Sequence, residues 1–158
     1  MIKIIVNFLN DDLIKHLEFF YSFRSPHFYG QHSRLDVKKQ IWFYYSELNL
    51  NDNLTQFLHN KIKKQVGFNQ VISAFLNIQF KGMNGIFHSD RGNNTIVLMI
   101  TKTLKKGSGT FEIKENNIVK KIDFVQNRLL CFDAKKLHRG LAPKEKNTPR
   151  ITMAFQTI

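Results

Sequence analysis

The segment "FHSDRG" places His88 and Asp90 two positions apart, near Gly82, Gly85 and Gly92 and just ahead of the apolar run "TIVLMI". Imidazole nitrogen and carboxylate oxygen both ligate metals, and in an extended segment side chains at i and i+2 project from one face, so this pair can chelate. The motif alone is weak, because 6 histidines at an acidic frequency of 12 in 158 give about 0.5 such pairs by chance. His16-Leu17-Glu18 serves as a control. It matches the pattern but falls in a helical segment, where i and i+2 diverge by about 200° and cannot grip one ion.

A third ligand is supplied by His138 in "KLHRGL", fifty residues on. Two imidazoles and one carboxylate, with the opposite coordination positions open, form the facial triad preferred by non-haem Fe(II) oxygenases; Zn(II) in the same ligands is the minor variant. Twelve residues after His138, Arg150 opens "RITMAFQTI", where strand parity sets Arg150, Thr152, Ala154 and Gln156 against Ile151, Met153 and Phe155. If the apolar set packs outward, Arg150 and Thr152 point inward, and a buried guanidinium needs an anion whose shape suits its planar fork. In "AFLNIQF" the same alternation sets Asn77 and Gln79 against Ala74, Leu76, Ile78 and Phe80, so the two amides face either water or a polar interior. The inward reading gives a site for a metal-chelating dicarboxylate.

Positioning these residues takes two kinds of element. Before residue 70 the apolar period is helical. In "NDDLIKHLEFFYSF", Asn10 caps, Asp11 and Asp12 suit the helix's positive end, and Leu13, Ile14, Leu17, Phe20 and Tyr21 share a face. In "NDNLTQFLHNKIKKQVG", Leu54, Phe57, Leu58, Ile62 and Val66 form a stripe that Gly67 ends. An opening strand "IKIIV" is expected, and the aromatic-rich residues 34–48 around Trp42 are ambiguous. From Val71 onward eight segments read as strands: "VISAFLNIQF", "NGIFHSD", "TIVLMIT", "GTFEIK", "IVKKIDFV", "RLLCFD", "LHRGL" and "RITMAFQTI". Asn116-Asn117 signals a two-residue hairpin. Eight such strands predict a closed barrel or two-sheet roll with the helices on one outer face.

Length and composition suit one domain with one sizeable core: 158 residues, 42% hydrophobic, 15 of them Phe. No run reaches the roughly 20 apolar residues of a membrane span, and the N-terminus lacks a signal-peptide pattern, so a soluble, cytoplasmic protein is expected. Cys131, the single cysteine, reads as a buried small hydrophobe. A net charge of +12 suits a polyanionic partner. Against that, Lys outnumbers Arg 18 to 6, its pairs are scattered, and Asn is abundant at 15, which reads as solvated surface rather than a nucleic-acid footprint. His27, His32 and His59 have no partners at useful spacing and read as surface or packing residues. Arg91, Asn93 and Asn94, in the turn after Asp90, are candidates for substrate contact.

At the triad and Arg150 the sequence resembles the Fe(II)- and 2-oxoglutarate-dependent dioxygenase superfamily, nearest to its prolyl-4-hydroxylase-like branch. The likeness runs through "NFLNDDLIKHL", "FHSD", "GSGTFEI", "NRLLCFDAKKLHRGLAP" and "RIT". It implies a mainly β fold, a double-stranded β-helix (jelly-roll) core over 71–158 packed against a helical support region over 1–70. It implies iron held by His88, Asp90 and His138, the distal carboxylate of 2-oxoglutarate on Arg150, and assistance from Thr152 and Asn77. The implied reaction consumes 2-oxoglutarate and O2, releases succinate and hydroxylates a C–H bond of a protein, peptide or small-molecule substrate, a prolyl side chain among them. A nucleic-acid oxygenase of the same superfamily and a non-catalytic barrel used as a binding module are the alternatives. The chain departs from collagen-type prolyl hydroxylases at Thr148, where they carry Lys, and at Phe80, where such enzymes carry Tyr; it departs from nucleobase demethylases at Gln156, where they carry a second Arg.

Overall fold

A computed structural model describes residues 1–31, 43–116 and 118–158. Its elements run β1 (Ile2–Ile5), α1 (Asp11–Phe23), β2 (Phe28–Gln31), β3 (Phe43–Glu47), α2 (Asn53–Val66), β4 (Val71–Gln79), β5 (Asn94–Met99), β6 (Phe111–Glu115), β7 (Ile118–Ile122), β8 (Leu129–Asp133), β9 (His138–Gly140) and β10 (Arg150–Thr157). All strand pairs are antiparallel. They form a large sheet of order β1-β8-β5-β10-β4-β3-β2 and a small one of order β7-β6-β9. The two-sheet alternative of the sequence expectation is the one observed.

Both helices begin where their caps dictate. Asn10 Oδ1 accepts from the Leu13 N–H at 2.8 Å, and Asp52 Oδ1 accepts from the Leu54 and Thr55 N–H groups, each at 2.9 Å. Gly67 ends α2 at φ 71°, a left-handed value that a side chain would strain. Ile14, Leu17 and Tyr21 of α1 and Leu58 and Ile62 of α2 pack on Leu76, Ile78, Ile96, Leu98, Met153 and Phe155 of the large sheet. Phe20 and Phe57 do not join this face and are exposed, the latter to 50%. Those two positions correct the stripes read from the sequence: each lies one step off the buried rows centred on Leu17 and Leu58.

A second apolar cluster lies between the sheets. Val97, Met99, Leu130, Phe132 and Ala154 of the large sheet meet Phe111, Ile113 and Ile122 of the small one. The parity of β10 therefore resolves cleanly: Ile151, Met153 and Phe155 face the helices, and Ala154 faces the small sheet. Arg150 and Thr152 share Ala154's side.

Three expectations are corrected. "NGIFHSD" is not a strand: only His88 pairs, in an isolated bridge to His138. The N-terminal 70 residues supply more strand than expected: the opening strand is present as β1, paired with β8, but β3 and β2 also extend the large sheet beyond β4. Cys131 is half-buried, packed at the margin of the helix-side core, and burial pushes its thiol pKa up. Of the ambiguous aromatic segment, 43–47 is β3, while Trp42, like His32, lies outside the described residues. Asn117 does too, but Glu115 pairs with Ile118 and Asn116 has φ 50°, the geometry of a two-residue hairpin.

Candidate metal centre and anion pocket

β9 carries His138 on its inward face, 3% exposed. The backbone of His88 docks against it by a reciprocal pair of hydrogen bonds, 3.0 and 2.8 Å. That bridge brings the two imidazoles to a 4.4 Å centroid separation. Asp90 is carried along by its own backbone, which donates to Ala134 O at 2.8 Å. One ligand atom from each of His88, Asp90 and His138 then lies within 4.8 Å of the others. The nearest approaches are His138 Nε2 to Asp90 Oδ2 at 3.3 Å and His88 Nε2 to Asp90 Oδ1 at 3.8 Å.

The surroundings select the coordinating atoms. His88 Nδ1 is 2.9 Å from Ile86 O and His138 Nδ1 is 2.9 Å from Lys136 O. Carbonyls only accept, so each Nδ1 is the donor and each Nε2 is left facing the centre, able to hydrogen-bond Asp90 when it carries a proton and to ligate a metal once that proton is lost. Burial raises the Asp90 carboxyl, but the hydrogen bond and charge of His138, the Thr95 hydroxyl and the charge of His88 outweigh it. The net result holds Asp90 below the usual carboxylate range.

Arg150 is 2% exposed on the same inter-sheet side. Its Nε donates to Gly109 O at 2.9 Å and its Nη1 to Gln79 Oε1 at 2.7 Å, while the guanidinium lies 5.2 Å from the Phe124 ring centroid. Neither acceptor is charged, and Nη2 is buried without a partner. Burial pushes the guanidinium down to about 9, so it stays charged at neutral pH. The register pairs Arg150 with Gln79 and Thr152 with Asn77, and Asn77 Oδ1 is likewise buried and unpartnered.

The structure thus gathers the three metal-ligand candidates into one cluster and sets Arg150, Thr152 and Asn77 on adjacent strands of the inward face. Arg91 is exposed, the backbone of Asn93 is taken by Thr157 and Ala134, and Asn94 opens β5 paired with Thr157 of β10 and Asp133 of β8. His27 bridges Ser46 Oγ and Tyr21 O, and His59 stacks on Phe68, as packing residues do. One residue of the site escaped sequence reasoning. Thr95 donates to Asp90 Oδ2, across a turn that spacing does not reveal. Gln79 had a legible signal, since parity put it beside Asn77, but its partner Arg150 emerges only from the β4–β10 register.

No family model matches the chain, and no curated protein matches its sequence. Solved structures do. A prolyl hydroxylase from Trichoplax adhaerens, in complex with a hypoxia inducible factor peptide fragment, aligns with TM-score 0.76 at 16% identity, over 99% of this chain and 83% of that one. A Pseudomonas putida prolyl-4-hydroxylase aligns with TM-score 0.73 at 13% identity, over 99% and 92%. A 2OG-Fe(II) oxygenase family oxidoreductase from Burkholderia pseudomallei aligns with TM-score 0.75 at 9% identity, over 98% and 83%. The chain has the fold of the 2-oxoglutarate/Fe(II) oxygenases, and its resemblance to them includes the prolyl-4-hydroxylase-like branch.

Proposed function

We propose that the chain is a single-domain Fe(II)- and 2-oxoglutarate-dependent dioxygenase with a double-stranded β-helix core, hydroxylating a C–H bond of a protein or peptide side chain. The observation that carries this reading is Arg150: a fully buried cation whose two hydrogen-bonded partners are neutral and whose Nη2 is unsatisfied. A buried charge without a counter-ion is costly, and a carboxylate delivered by a ligand offsets that cost.

The residues fit both groups. His88 Nε2, Asp90 and His138 Nε2 would hold the iron, the donor set that suits Fe(II) with open positions. Arg150 Nη2 would take the distal carboxylate of 2-oxoglutarate, Thr152 would add its hydroxyl, and Asn77, with its amide turned over, would donate to the same molecule. Bound there, iron, 2-oxoglutarate and O2 supply oxidative decarboxylation to succinate and hydroxylation of the substrate. The protein's part is to fix the three ligands, anchor the dicarboxylate and enclose the centre between two sheets. A peptide substrate is supported by the Trichoplax relative's bound peptide and remains an analogy of fold.

The test is anaerobic titration with Fe(II) and 2-oxoglutarate, following the weak visible charge-transfer band of a chelated iron(II) keto acid. His138→Ala abolishes the band and Arg150→Ala weakens 2-oxoglutarate binding. Folded, metal-free protein that develops no band overturns the oxygenase reading.

A further inference from the structure

Gln79, the partner of Arg150, and both histidine segments meet at one carbonyl. Gly140, two residues beyond His138, accepts from the Gly85 N–H at 2.9 Å and from Gln79 Nε2 at 3.1 Å. Gly85 lies three residues before His88. Gln79 Nε2 also donates to Met83 O at 2.6 Å, and Gln79 Oε1 accepts from Arg150 Nη1 at 2.7 Å. The amide's orientation follows from chemistry: turned over, it would set an NH2 group against a guanidinium and an oxygen against two carbonyls. Gln79 is 3% exposed, so these bonds are made away from bulk solvent.

A neutral acceptor holds a guanidinium without cancelling its charge. A carboxylate in the same place would be the counter-ion itself and would leave nothing for an incoming anion to neutralise. We propose that Gln79 is a positioning residue that keeps the Arg150 pocket both aimed and charged, and so decides whether the dicarboxylate binds. Resting on the function proposed above, this adds a specificity determinant outside the set of residues that touch the cosubstrate. Gly140 completes the cradle, because a Cβ there would stand 2.9 Å from Arg150 Nη1 and 3.0 Å from Nη2.

The experiment separates metal from anion binding. Co(II) binding is followed by its visible absorption, and 2-oxoglutarate binding to the Zn(II)-loaded protein by calorimetry, for wild type, Gln79→Glu and Gln79→Met. Both variants are expected to hold Co(II) within about threefold of wild type, since neither changes a ligand. Gln79→Met, which frees the guanidinium, weakens 2-oxoglutarate about 10-fold, and Gln79→Glu weakens it about 100-fold or more. Binding by Gln79→Glu within twofold of wild type overturns the inference and leaves the oxygenase reading standing. Equal loss in both variants with parallel loss of Co(II) also overturns it, because Gln79 is then only a tie between strands. If Gln79→Glu does not fold, Gln79→Met decides, and binding within twofold of wild type counts against the inference. Wild-type protein that binds Co(II) but no 2-oxoglutarate sinks the oxygenase reading and this inference with it.

Discussion

Thr95 Oγ1 donates a 2.6 Å hydrogen bond to Asp90 Oδ2, and Thr95 is 2% exposed. The Asp90 backbone is tied separately to Ala134 O, so the hydroxyl acts on the carboxylate's rotation rather than on the path of the chain. Partners of this kind around a metal ligand are worth about 10–100-fold in metal affinity. Thr95→Val keeps the shape and removes the donor. It is expected to weaken Co(II) binding at neutral pH by about 10-fold, with Thr95→Ser restoring affinity to within about threefold. Titration of the three proteins checks this, and a Thr95→Val protein that matches wild type would mean the backbone alone sets Asp90.

Gly140→Ala probes the other half of the site. Gly140 has no left-handed backbone angle to defend, so alanine is conformationally permitted and its methyl acts only by crowding the Arg150 guanidinium at 2.9–3.1 Å. Overpacking of this kind costs about 1–3 kcal/mol, which translates into roughly 10–100-fold weaker 2-oxoglutarate binding if the guanidinium gives way. Calorimetry on the Zn(II)-loaded variant reads that loss, and the melting temperature reports whether the fold absorbed the strain instead.

The candidate triad was legible because residue type and spacing limited it, although the strand expected for His88 and Asp90 is only an isolated bridge at His88. His88 and Asp90 needed an extended segment, His138 a strand, and Arg150 an inward parity that the apolar residues Ile151, Met153 and Phe155 enforce by facing the helices. The segment around His88 resisted for local reasons. Gly82 sits at φ 92°, Met83 and Asn84 turn back onto Phe80 O and Gly82 O, and Asn84 Oδ1 caps the Ala142 N–H, so the chain wanders before His88 docks. Strands β2 and β3 were hidden for a different reason: Phe28, Tyr29, Tyr44 and Tyr45 pack ring on ring across the pair, which gives aromatic residues on both faces and no apolar period.

Tyr21 is buried in the core between α1 and the large sheet, with 3% exposure. Burial first, and then the charge of Asp52, raise its phenol well above the ordinary value of 10.0. The folded state therefore keeps a proton that the unfolded chain gives up, and the stability this contributes is complete below pH 10 and lost as pH rises through the folded value. Tyr21→Phe removes the phenol without altering the ring. Its unfolding free energy in urea should match wild type to about 1 kcal/mol at pH 7 and fall less steeply above pH 10. A parallel alkaline decline in both proteins would assign the loss to other groups.

Arg139 follows His138 and faces the opposite way, where its Nε and Nη2 reach Glu112 Oε2 at 2.8 and 2.7 Å. Glu112 is 3% exposed, and its other cation, Lys121, stands 3.8 Å away. Arg139 also lies 4.3 Å from the centroid of Phe87, the residue before His88, so it clamps the outer side of the small sheet directly behind the candidate metal ligands. Removing one partner of a buried pair strands the other, at about 3–5 kcal/mol in full burial; partial exposure of Arg139 and the remaining lysine bring the expected loss for Arg139→Met to about 2–3 kcal/mol. Combining it with Glu112→Gln should recover most of that loss, because no buried charge is then left alone. Urea unfolding measures both terms. If Arg139 is structural, Co(II) affinity of the folded single variant stays within about threefold of wild type. A drop beyond 10-fold would show that the clamp also sets the His88–His138 geometry, making it part of the metal centre.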